Sequence, residues 1–127
     1  MFKYDIEYEN FDGEKVKETL NFHLTKAELI KMDLAKGGKL KDILEEVVAN
    51  QDPAETLLWF DKIIKASYGQ REGDLFVKDP KKTEAFVSSE AYSEFFIKLI
   101  NQEIKVEDFV LGIFPKDVAT ELAKEIK

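Results

Sequence analysis

The 127-residue chain contains no cysteine, which removes disulfides, thiolate metal sites and thiol nucleophiles at once. Such usage suits a reducing compartment. Histidine is almost as scarce: His23 stands alone, so no second imidazole or thiol exists to complete a zinc site or a nucleophile–base pair. Phosphate loops are missing too, because Gly37-Gly38-Lys39 has neither the spacing nor the preceding strand that brings backbone amides onto a phosphate. No run approaches the roughly 18 apolar residues of a membrane span, and Met1-Phe2-Lys3-Tyr4-Asp5 lacks the apolar stretch of a signal peptide. The expected location is the cytoplasm in which the chain is made, with no membrane partner.

Acidic residues outnumber basic ones, giving a formal net charge of −7, and the Lys and Arg residues are scattered instead of gathered into a stripe. Phosphate backbones are repelled by such a surface, so no nucleic-acid partner is expected. Carboxylate pairs occur at Glu45-Glu46, Glu107-Asp108 and Asp5/Glu7, but the first two sit on polar helix faces and the third on one strand face. None makes the facing pair in a cleft that glycoside chemistry requires. Glu72-Gly73-Asp74 is only a fragment of a calcium loop, and Ser88, Ser89 and Ser93 read as caps and turn residues. The residues therefore point to a non-enzymatic protein with no catalytic residue, no metal site and no cofactor.

What the chain does have is 44% hydrophobic and 35% charged residues, with ten Phe, enough for one folded core built on aromatics. A single domain over 1–127 is expected, divided into a β-hairpin (1–24) and a helical part (25–127). Phe2, Tyr4, Ile6 and Tyr8 alternate with polar residues, Asn10-Phe11-Asp12-Gly13 supplies a turn, and Val16, Leu20, Phe22 and Leu24 resume the alternation with Glu18 as its polar break. His23 falls on the opposite, solvent side of that strand.

Thr25-Lys26-Ala27-Glu28 has the form of a capping box and predicts a helix to about Lys36, stopped by Gly37-Gly38. Leu40, Ile43, Leu44, Val47 and Val48 form the apolar stripe of a second helix. Asp52-Pro53 and Asp79-Pro80 each combine an N-cap with a proline at the first helical position, and Ser88-Ser89 breaks and recaps the chain. Two further stripes follow: Tyr92, Phe95, Phe96, Leu99 and Ile100, then Val106, Phe109, Val110, Ile113 and Phe114. Pro115 disfavours helix at Phe114, and a last amphipathic helix with Val118, Leu122 and Ile126 is expected to reach the C-terminus. The stretch Tyr68–Lys78 reads as an ordered loop with a short strand at Leu75–Val77. The fold class is thus α+β: an N-terminal hairpin followed by six to seven short helices.

Some apolar residues do not sit cleanly on these stripes. Trp59 lies about a hundred degrees from the face of Phe60 and Ile63, so it is either the edge of a wide buried stripe or a partly exposed contact residue. Leu111 and Phe11 fall outside the stripes and are candidates for partner contact.

In order along the chain run Phe22-His23-Leu24-Thr25-Lys26-Ala27-Glu28, Ser67-Tyr68-Gly69, Phe76-Val77-Lys78, Glu90-Ala91-Tyr92-Ser93-Glu94 and Phe109 to Pro115. That succession resembles the tail assembly chaperones of long-tailed phages and prophages, with the segment between Gly69 and Phe76 shorter than many members carry. The resemblance implies a non-catalytic protein that binds the tape measure protein, helps recruit the tail tube protein and is absent from the mature virion. Self-association along the client belongs to the same expectation, and Trp59, Phe109, Leu111 and Phe114 are assigned to partner binding. The alternative is a minor structural protein of the tail or connector, which purified particles would contain.

Overall fold

A computed structural model describes residues 1–49 and 53–120. Strands β1 (Phe2–Glu9) and β2 (Lys15–Phe22) pair antiparallel from Phe2↔Phe22 to Glu9↔Lys15, as the alternation requires. Their turn is held by Asn10, whose side-chain oxygen accepts from the amides of Asp12 and Glu14 at 3.0 and 2.9 Å. Glu18 breaks the apolar face without an unsatisfied group, since Tyr8 donates its hydroxyl to it at 3.3 Å.

Helix α1 (Lys26–Ala35) begins with the expected capping box: Thr25 Oγ1 accepts from Glu28 N at 3.2 Å, and Glu28 Oε1 accepts from Thr25 N at 2.9 Å. Gly37 and Gly38 then take φ of 65° and 78°, a backbone region where a side chain would be strained, and turn the chain into α2 (Leu40–Ala49). Helix α3 (Pro53–Ser67) carries Phe60, Ile63 and Ile64 into the core and ends at buried Ser67, whose hydroxyl is satisfied by Ile63 O at 2.6 Å. The cap expected of Asp52 lies outside the described residues.

After α3 the chain departs from the loop read from sequence. Tyr68–Glu72 and Leu75–Val77 are strands β3 and β4, a second antiparallel hairpin that joins β2 through Asn21↔Gly69 and Phe22↔Tyr68. The result is a four-stranded sheet in the order β1-β2-β3-β4. Tyr-Gly-Gln-Arg-Glu has no apolar alternation; it is β because Gln70, Arg71 and Glu72 pair with β4 while Tyr68 and Gly69 pair with a strand some fifty residues away, which a local pattern cannot display.

Helices α4 (Pro80–Val87), α5 (Glu90–Ile100) and α6 (Val106–Ile113) follow, α4 capped by Asp79 and α5 by Ser89. Phe114 is extended before Pro115, and residues 116–120 are helical; Leu122 and Ile126 lie outside the described residues. Against the inner face of the sheet the aromatics meet at Phe22, which stacks on Phe95 at 4.8 Å and meets Phe109 edge-on at 5.4 Å. Sheet and helices therefore share one core.

A candidate partner-binding surface

Of the four residues assigned to partner contact, three are inside the protein. Trp59, Phe109 and Phe114 are 5%, 1% and 4% exposed, and Leu111 is half-buried on α6. Trp59 is the edge of a wide buried stripe, the first of its two readings, and the ammonium groups of Lys36 and Lys62 each cover its ring at 5.0 Å. Phe109 is locked between Phe2, Phe22 and Phe95.

Phe114 is buried yet lines a groove. The groove has a volume of about 540 Å³ and lies between α1, α2 and residues 116–120, with Leu29, Leu40, Leu44 and Val118 beside Phe114. On its rim stand Lys26 and Lys41 against Asp33 and Asp117, two cations and two anions with no net formal charge. Lys26 pairs with Asp117 at 2.6 Å, and Asp33 accepts from the amide of Leu40 at 3.1 Å, which starts α2. In a protein of net charge −7, this is a neutral window onto apolar side chains.

α1 exposes Ile30, which lines the groove, and Leu34 beside it, 60% and 74% open to solvent. The caps that mark α1 in the sequence say nothing about which of its sides is buried. The signal was present: Leu29 and Met32 share one side of the helix, whereas Ile30 and Leu34, at i and i+4, share another. One packing surface cannot bury both sides, so the second is left for something else. A smaller groove of about 440 Å³ opens between α3, α5 and α6, where Leu57 and Ile100 are 39% and 44% exposed.

Among the described residues no three His, Asp or Glu side chains are placed to hold a metal ion, and no helix is long and apolar enough to cross a membrane. Tyr92 donates to Asp61, which also pairs with Lys65 at 2.8 Å; burial first, and then the Asp61 carboxylate, push the phenol well above its ordinary range. The arrangement ties α5 to α3.

His23 is not the solvent-facing residue its strand position indicates. The second hairpin covers it: the ring meets Phe76 edge-on at 6.4 Å, and its Nδ1 is buried with no hydrogen-bond partner among the described residues. Burial, then the N-terminal ammonium and Lys78, lower its pKa from the usual 6.5 against an opposing pull from Glu28. A depressed histidine favours folding while neutral, so its contribution is complete above the unfolded pKa and is lost as pH falls below 6.5 toward the folded value. The thermal midpoint should therefore drop between pH 7 and about 5, and His23→Phe should flatten that part of the profile. Parallel profiles for the two proteins would refute the assignment.

A family model described as phage tail assembly chaperone matches residues 1–126. No curated protein and no solved structure gives a match.

Proposed function

Because the chain belongs to the phage tail assembly chaperone family, we propose that it holds apolar helical stretches of the tape measure protein before the tail is built and assists addition of tail tube protein. It does so by contact alone, in the host cytoplasm, and leaves before the virion is complete. The observation that carries this reading is the neutral apolar groove with Ile30 and Leu34 exposed at its side. An amphipathic helix laid there buries its apolar face against Phe114, Leu40 and Leu44, the mode by which helices fill grooves.

Within this proposal Phe114 contributes the groove floor and Leu111 the only partly open side chain of the original four. Trp59 and Phe109 act by holding the helices that shape the surface. A long helical client with uncovered apolar surface aggregates unless that surface is masked.

Co-expression with a tagged tape measure protein tests the placement. Ile30→Glu with Leu34→Glu should lower recovery of the chaperone on the tagged client at least tenfold, about 1.4 kcal/mol or more of binding, with an unchanged circular dichroism spectrum. Leu75→Glu, on β4 and 66% exposed, should leave recovery unchanged. Full recovery of the double variant would move the contact elsewhere, and recovery of the chain in purified virions would favour a structural role.

A further inference from the structure

Helix α1 lies on the protein with little apolar support. It buries Leu29 and half-buries Met32, while Ala27, Ile30, Leu34 and Ala35 stand open. Helices α5 and α6 instead sink Phe95, Leu99, Phe109 and Ile113 into the core. At ten residues α1 is shorter than the about 12 at which an isolated helix begins to hold in water, so its order depends on what it packs against. The chain on either side is anchored. Leu24 is buried and its amide donates to Ile113 O at 2.7 Å, and Leu40 is buried at the start of α2. Residues 25–39 thus form a strap between two fixed points.

Polar ties hold the strap down, and Glu28 is the centre of them. One carboxylate oxygen, Oε1, accepts from Thr25 N at 2.9 Å and closes the capping box; the other, Oε2, meets Lys78 Nζ at 2.5 Å just beyond β4. The same side chain starts the helix and docks it. Glu28 and Lys78 are 34% and 24% exposed, so water and salt screen them less than a surface pair. Lys26 with Asp117 is the looser tie, since both side chains are more than half open to solvent. At the far end the Lys36 ammonium lies over the ring of Trp59.

We propose that α1 opens by local unfolding while the rest of the fold stays intact, with the Glu28–Lys78 pair as its latch, and closes again over a helix seated in the groove. Opening removes the groove wall made by Leu29 and Ile30 and uncovers Leu40, Leu44 and Phe114. Closing brings Ile30 and Leu34, open to solvent in the free chain, onto the occupant. The closing step rests on the groove reading above; the opening does not, and it is measured with no client present.

Native-state amide exchange across a series of low urea concentrations tests the opening. Amides of 28–35 should exchange at least about a hundredfold faster than those of 95–99 and 109–113, with a weaker urea dependence, because a local opening exposes little surface. Lys78→Gln leaves the capping box in place, and Glu28→Gln can still close it. Each should speed exchange in α1 at least about threefold, and the two together should fall short of the product of the single effects, since one interaction is lost once. Lys65→Gln, which breaks the pair with Asp61 on α3, should leave α1 unchanged. If circular dichroism shows one latch variant unfolded, the other carries the comparison. Protection and urea dependence in α1 equal to those of α5 and α6, latch variants that leave α1 unchanged, or a double variant that reaches the full product would overturn the proposal. In the complex recovered with the tagged client, α1 should exchange at least about tenfold more slowly, and a complex in which it exchanges as in the free protein would overturn the closing step. Failure to recover any complex would sink the groove reading and leave the rates of the free protein standing.

Discussion

Phe22→Ala is expected to destabilise the fold by about 3–5 kcal/mol, the range for a large aromatic removed from a core that cannot collapse around the gap. Phe22 is 0% exposed and lies within ring contact of Phe2, Tyr68, Phe86, Phe95 and Phe109. Those rings come from β1, β3, α4, α5 and α6. Removing it therefore opens the junction of sheet and helices together. Urea unfolding measures the loss directly, with Phe22→Leu expected to lose less and exposed Phe11→Ala to stay within about 0.5 kcal/mol of wild type. A loss below about 1 kcal/mol for Phe22→Ala would mean that the aromatic junction is not what holds the layers together.

Gly69→Ala is the second large effect, and its cause is space. A Cβ at Gly69 would stand 2.7 Å from two ring atoms of Phe76 and 2.9 Å from the carbonyl oxygen of Val77. The ring can turn; the carbonyl belongs to the ladder and cannot. The expected cost is about 1–3 kcal/mol, the usual range for overpacking, and it should fall on the second hairpin. Amide exchange in β3 and β4 should quicken more than in α5 and α6. Adding Phe76→Ala should relieve the ring contact and leave the carbonyl contact, so rescue will be partial. Uniformly faster exchange through the whole protein would show that the hairpin does not yield separately.

Elements closed by local chemistry were legible in the chain. The Thr25–Glu28 capping box, the Asp79-Pro80 start and the Ser88-Ser89 break each depend on residues within four positions of one another, and each appears as read. Alternation likewise defined the first hairpin, and the stripes of α5 and α6 carried the buried faces except at Ile100, which is exposed. Of the second hairpin the strand at Leu75–Val77 was legible; β3 was not, because Tyr68–Glu72 lacks alternation and part of its pairing is with β2, whose sequence is remote. His23 was misplaced for the same reason: its exposure was set by a cover that arrives from residues 68–77.

The candidate surface illustrates the same division. An unburied side of α1 could be counted from Ile30 and Leu34, but the groove beside it needs α2, Phe114 and Val118 in place. Position alone could not separate the two readings of Trp59. Lys36, at the end of α1, covers it only after the chain has folded.

The amino-acid order by itself determined where helices start and stop and which faces are apolar, because caps, periodicity and residue types act within a few positions. Tertiary structure alone decided which apolar residues remain open and that β3 extends the sheet to four strands. Those properties depend on what packs against what, and burial is a relation between distant segments, not a property that any one of them carries.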